Sequence, residues 1–157
     1  MQELIGLDSW FVSFLPLLLA AFASGAIVGL ERQHHRSEIG VRTCTLVCAG
    51  ATTYMASGHL ILEVSSMPGD PTRIASQIIT GIGFLGAGAI IRGAGSVSGL
   101  TSAATIWFQG ALGILIGCDY PLVGILLAVT VVVLLTAVSK LESWHEKFIK
   151  ARERKRT

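Results

Sequence analysis

The sequence predicts an all-α membrane protein of about five transmembrane helices, with its amino end outside and its carboxyl end inside. Three observations carry this. Of 157 residues, 52% are hydrophobic and 14% charged, far from the balance of a water-soluble domain. The apolar residues gather into five runs, roughly 9–30, 42–62, 73–92, 100–117 and 121–139, each near the ~20 residues a helix needs to cross a hydrocarbon core of ~30 Å. The net charge of +2, from 12 basic and 10 acidic residues, conceals a strong segregation. Arg32, Arg36 and Arg42 follow the first run and Arg92 follows the third. The segment after the fifth holds Lys140, Lys147, Lys150, Arg152, Arg154, Lys155 and Arg156. Only Arg73 falls on the other side, and basic residues mark cytoplasmic loops.

The first run contains Ala21-Phe22-Ala23, which resembles a signal-peptidase site. Glu3 and Asp8 precede it where a leader would be basic, and the apolar run continues to Leu30, so a retained first span is expected. Pro16 should kink this helix. Gly25 and Gly29 form G-x-x-x-G, a spacing that lets two membrane helices approach closely. In the following loop, Glu31, His34, His35 and Glu38 stand three and four residues apart. That spacing puts a carboxylate near an imidazole if the helix continues, as a weak divalent-metal candidate or a pH switch; the simpler reading is a surface loop.

In the second run Cys44 and Cys48 are four apart, which reads as small packing residues on one helical face. Three cysteines imply no disulfide framework here, and C-x-x-x-C without further soft ligands is a poor metal pair.

The third span should start at Asp70-Pro71, an N-cap followed by proline in the first helical position. Gly81, Gly83 and Gly86 spell G-x-G-x-x-G, but no strand alternation precedes them. The next acid, Asp119, is too distant to bind a ribose. The same glycines, with Gly88, predict either tight helix packing or a broken helix whose carbonyls meet a cation. Arg73 and Arg92 bracket the span, as interfacial groups or as inward-facing functional charges. Gln77, Thr80, Thr101, Ser102, Thr105 and Gln109 supply interhelical hydrogen bonds or a polar path.

The fourth span carries Gly113 and Gly117 in a second G-x-x-x-G, and Ala103, Gly110 and Gly117 at heptad spacing. Tight contacts around spans three and four are therefore expected, and glycine surface left over would suit a homodimer. Asp119-Tyr120-Pro121 repeats the cap-and-proline arrangement before span five, so Asp119, the best acidic candidate, reads more simply as a cap. A transmembrane domain over 1–139 and a basic cytoplasmic tail over 140–157 follow. The tail suits retention and anionic lipid, with Trp144 and Phe148 as interfacial anchors. It lacks the marks of nucleic-acid binding.

No G-x-S-x-G elbow, H-E-x-x-H helix or intramembrane carboxylate pair is present, so no enzymatic activity is expected. No motif calls for a cofactor; Mg²⁺ stays an open candidate.

Four segments belong together: G-L-E-R at 29–32, V-R-T at 41–43, R-I-A-S-Q-I-I-T-G-I-G-F-L-G-A-G at 73–88 and G-L-T-S-A-A-T-I-W at 99–107. Over about residues 20–138 the chain resembles the MgtC/SapB family. Gln33 departs from the acid common there, and Ser102 from a usual threonine. Many members add a soluble C-terminal domain, whose activity does not carry over. The resemblance implies a multi-pass bacterial inner-membrane protein associated with low magnesium, acid resistance and virulence. Such proteins are better regarded as accessory or regulatory, acting on membrane energetics or on partners such as ATP synthase. The alternative is a small oligomeric transporter or channel for Mg²⁺ or another cation. Matched positions are Glu31, Arg32, Arg42, Thr43, Arg73, Gln77, Gly81, Gly83, Gly86, Gly88, Thr101 and Trp107.

Overall fold

The computed structural model describes residues 2–35, 37–65, 69–93 and 96–153, without the side chains of 2–9, 65, 91–93, 146, 148 and 150–153. Within these, the chain forms helices α1 (Gln2–His34), α2 (Val41–Ser65), α3 (Pro71–Gly88), α4 (Leu100–Gly117) and α5 (Pro121–Glu153). A short antiparallel hairpin, β1 (Ile91–Gly93) and β2 (Ser96–Ser98), joins α3 to α4. The helical part of the third run thus ends at Gly88 rather than at 92. Beyond it, glycines and serines hold a helix poorly, while Ile91 and Val97 favour extended backbone.

Both G-x-x-x-G pairs grip the same helix. A Cβ added at Gly25 would lie 2.5 Å from Thr45 Cα, and one at Gly29 would lie 2.5 Å from Val41 Cα, so α1 runs antiparallel to α2 at backbone contact. On α4, a Cβ at Gly113 would lie 2.4 Å from the Cys48 carbonyl oxygen, and one at Gly117 would lie 2.7 Å from Met55 Cβ. Helices α2 and α4 therefore run parallel. The Thr52 hydroxyl donates to the Gly113 carbonyl at 3.0 Å, fixing their register.

Two parallel helices need the chain carried back between them, and α3 does this. Its 18 residues span about 27 Å. Ile74, near its start, packs on Gly58; Ile82 packs on Gly110, and Gly86 faces Ala103. Among the described residues four helices contain segments long and apolar enough to cross a membrane, on α1, α2, α4 and α5. Composition leaves α3 short of that standard, yet its packing lays it alongside two helices that meet it.

Chain direction then sorts the connections to two ends of the bundle. The α1–α2 connection, the hairpin and the start of α4 share one end, where the Ser37 and Ser102 hydroxyls are hydrogen-bonded at 2.9 Å. The α2–α3 and α4–α5 connections share the other. Helix α4 closes there with Asp119 N–H donating to the Ile116 carbonyl and Tyr120 N–H to the Leu115 carbonyl, and with Asp119 at φ 71°. This is a Schellman closure. Asp119 thus ends α4 in the left-handed region and is not the N-cap of α5, correcting the sequence expectation. Asp70 does cap α3, accepting from Thr72 N–H at 2.9 Å.

Two apolar clusters fill the interior. One joins α1, α2, α4 and α5 around Val28, Cys48, Leu112, Ile116 and Ala128; the other joins α2, α3 and α4 around Cys44, Ala51, Ile82 and Ile106. Large apolar side chains also point outward, Phe84, Leu46 and Leu122 among them, as suits lipid rather than water. Pro16 is accommodated within α1, and α5 runs unbroken across the expected boundary at 139–140.

Candidate functional site

At the end of the bundle that carries the α1–α2 loop, the last turns of α1 bury two opposite charges. Glu31 and Arg32 are 8% and 7% exposed. The Arg32 Nε and Nη2 donate to both carboxylate oxygens of Glu31. Sequence neighbours on a helix do not normally face each other, so the guanidinium must fold back over its neighbour. Burying this pair costs desolvation that the contact offsets only while both partners are present. His35 joins them, its Nδ1 3.2 Å from Glu31 Oε1 and 3.1 Å from the Glu31 carbonyl oxygen.

Deeper in the bundle lies a second polar group. Ser24, Gln109 and Thr45 approach one level of α1, α4 and α2, as the contacts of Gly25 with Thr45 and of Gly113 with Cys48 place them. The Ser24 and Thr45 hydroxyls are buried without a hydrogen-bond partner among the described residues, and the buried Gln109 amide has only the neighbouring Cys44 thiol beside it. Natural interiors leave few such groups unpaired. Ser24 and Thr45 are not among the sequence candidates, although Ala21, Ser24 and Val28 stand at helical spacing on one buried face.

Other polar candidates satisfy themselves. The Thr80 and Thr105 hydroxyls donate to the carbonyls of Ser76 and Thr101, four residues back, each at 2.8 Å. Ser102 ties the α4 start to the α1–α2 loop. Cys44 and Cys48 are buried free thiols, packing residues as the sequence indicated.

The third-span glycines behave differently from expectation. Only Gly86 is approached, a Cβ there lying 3.4 Å from the Ala103 carbonyl oxygen; at Gly81, Gly83 and Gly88 a Cβ would meet nothing within 4 Å. The tight packing expected along α3 is therefore corrected to a contact made mainly by Ile82 entering the space at Gly110. Nor is α3 broken at its glycines: it is continuous to Gly88, which engages the Gly81 and Gly83 carbonyls within the helix, and the Gly86 carbonyl accepts from Ala89 N–H. The heptad Ala103, Gly110 and Gly117 divides its contacts, the first two meeting α3 and the last α2.

The remaining candidates disperse. Arg73, Gln77 and Gly81 line a groove between α2 and α3, whose Arg73 end lies away from Glu31. Arg42, Thr101 and Trp107 are exposed, Thr43 is half-buried, and the side chain of Arg92 lies outside the described residues. Asp70, beside Arg73, has its carboxyl held below the usual carboxylate range, by the Thr72 side chain first, then by the Thr72 backbone N–H, with a smaller contribution from the Arg73 charge.

For a metal, Glu31 and His35 come together and the His34 ring meets His35 edge-on, centroids 5.5 Å apart. Glu38 is exposed. Among the described residues no group of three or more His, Cys, Asp or Glu side chains is placed to hold an ion. The Arg32 guanidinium engages both Glu31 oxygens, so a divalent cation there would have to displace a positive charge. This donor set does not fit a metal.

Comparison with known proteins accords with this architecture. The family model described as the MgtC family matches residues 18–144. Protein MgtC of Brucella abortus (strain 2308) is 46% identical over 100 residues, 64% of this chain and 40% of that protein. Protein MgtC of Salmonella typhimurium (strain LT2) is 45% identical over 100 residues, 64% of this chain and 41% of that protein. The match spans about two fifths of the length of these curated relatives. No solved structure matches the chain. With a family match that runs from α1 into α5, the chain belongs to the MgtC family.

Proposed function

We propose that this protein is an accessory, regulatory component of the bacterial inner membrane that works through a membrane partner and not by turnover of a substrate. Its setting is magnesium limitation, acid or host stress; the name of the relatives supports the magnesium link. One observation carries the reading. Ser76, Thr80, Gly83 and Ala87 are all exposed on α3, at i, i+4, i+7 and i+11, away from the Ile82 and Gly86 edge that meets α4. Small residues at this spacing let another helix approach closely. The Ser76 and Thr80 hydroxyls bond back to their own helix at 2.8 Å, leaving the stripe smooth.

The occupant is a transmembrane helix, either of a second copy of this chain in a homodimer or of a larger machine such as ATP synthase. The end of the bundle holding Arg32, Arg42, Lys140 and Lys147 faces the cytoplasm, by the preference of basic residues for that side. Gly83→Leu tests the reading: it should abolish partner co-purification and growth support at low magnesium while leaving thermal stability near wild type. Full support by this variant would refute it.

A cation transporter is the second reading, favoured by the unpartnered Ser24 and Thr45 hydroxyls at the level of the buried Gln109 amide inside the bundle. Magnesium-dependent flux into proteoliposomes of the purified chain, abolished by Gln109→Leu, would overturn the regulatory proposal in favour of this one.

A further inference from the structure

We propose that the groove between α2 and α3 is a binding site for an anionic phospholipid, with one acyl chain in the groove and the headgroup phosphate on Arg73. The groove measures about 800 Å³ and is lined mostly by apolar side chains and by the open glycines Gly50 and Gly81, with Arg73, Gln77 and the Tyr54 phenol as its polar members. Arg73 and Gln77 stand at one end and Leu85 at the other. The rise from Arg73 to Leu85 covers about 18 Å of helix, roughly half of a ~30 Å hydrocarbon core. That is the depth of one leaflet. Arg73 stands in the first turn of α3, at the membrane surface, where an acyl chain in the groove would place its headgroup.

Charge selects the headgroup. Among the described residues Arg73 is the one Lys or Arg at this end of the bundle. Its guanidinium makes no ion pair or side-chain hydrogen bond among the described residues. The Asp70 carboxylate feels its charge but accepts instead from Thr72 N–H at 2.9 Å. An exposed guanidinium at the mouth of an apolar slot presents its donor fork to a phosphate. Gln77, one turn deeper, adds an amide within reach of the glycerol esters. A second copy of the chain fits less well, because a two-fold axis would set two concave grooves face to face.

The test is native mass spectrometry of the full-length, delipidated protein with dioleoylphosphatidylglycerol or dioleoylphosphatidylcholine. The reference chain carries Lys140→Gln and Lys147→Gln, which removes two basic contacts at the opposite end. The reference should retain phosphatidylglycerol at least threefold over phosphatidylcholine. Arg73→Gln should bring the ratio to about one, and Gly81→Leu, which fills the groove, should lower retention of both lipids. An unchanged ratio in Arg73→Gln, or unchanged retention in Gly81→Leu, would overturn the proposal. So would a dimer lost on Gly81→Leu in place of lipid. A failed partner assay with Gly83→Leu leaves this result untouched, since Gly83 lies outside the groove.

Discussion

Replacing Gly113 with alanine adds one methyl group where α4 crosses α2. That carbon would stand 2.4 Å from the Cys48 carbonyl oxygen, 2.5 Å from Ala51 Cβ and 3.1 Å from Thr52 N. Ordinary contact begins near 3.4 Å, so the helices must part by about 1.0 Å. Two of these neighbours are backbone atoms and cannot rotate away. Overpacking of this kind costs about 1–3 kcal/mol. The parting also stretches the Thr52 hydroxyl bond to the Gly113 carbonyl, now 3.0 Å, and such interhelical bonds contribute about 0.6 kcal/mol in membranes. The expected loss is about 2–4 kcal/mol, on the order of a 10 °C fall in Tm for a chain of this size. Gly81→Ala is the control: nothing lies within 4 Å, and helix propensity alone predicts a gain of up to about 1 kcal/mol. Gly117→Ala, whose nearest contacts are 2.7 and 2.8 Å, should fall between them. Thermal unfolding in detergent, followed by circular dichroism, reads all three. Equal stability of Gly113→Ala and Gly81→Ala would refute the account of α2 as the helix gripped by glycine contacts.

Three further substitutions probe other parts of the bundle. Gly99→Ala should be among the most damaging single changes, at least about 2 kcal/mol, because Gly99 has φ +83° and a Cβ there would lie 2.0 Å from the Ala89 carbonyl oxygen; loss of monodisperse protein on size exclusion is the readout. Glu31→Gln should cost about 3–5 kcal/mol by stranding the buried Arg32 charge, while Glu31→Leu with Arg32→Met should recover most of it, measured by the same melts. Asp119→Gly should raise stability by about 1 kcal/mol by relieving left-handed backbone strain; a loss instead would mean that the aspartate side chain is needed.

Much of this fold is legible in the sequence because lipid imposes simple rules on it. Asp70-Pro71 announces the start of α3 through a local hydrogen bond, and Gly25, Gly29, Gly113 and Gly117 announce close helix contacts through spacing. Which surface they contact is not local information: that both pairs close on α2 depends on α3 returning the chain. The repeat of the cap-and-proline pattern at Asp119 misled because Tyr120 extends the turn by one residue, turning a cap into a helix end. The glycines of α3 misled in the opposite direction. Spacing cannot tell a glycine pressed on a neighbour, as at Gly113, from one left open, as at Gly81. Nor does the G-L-E-R segment disclose that Glu31 and Arg32 are buried on each other, since helical geometry ordinarily keeps adjacent side chains apart.

Everything assigned to α3, its groove and its small-residue stripe included, depends on this helix crossing the bilayer although its composition falls short of a membrane span. Site-directed labelling decides the matter most directly. In a chain with Cys44, Cys48 and Cys118 replaced by alanine, single cysteines at Gly69 and Ser96 flank α3. An impermeant maleimide added to intact cells should label Gly69→Cys and leave Ser96→Cys unlabelled until the membrane is opened. Labelling of both from the same side would contradict the account.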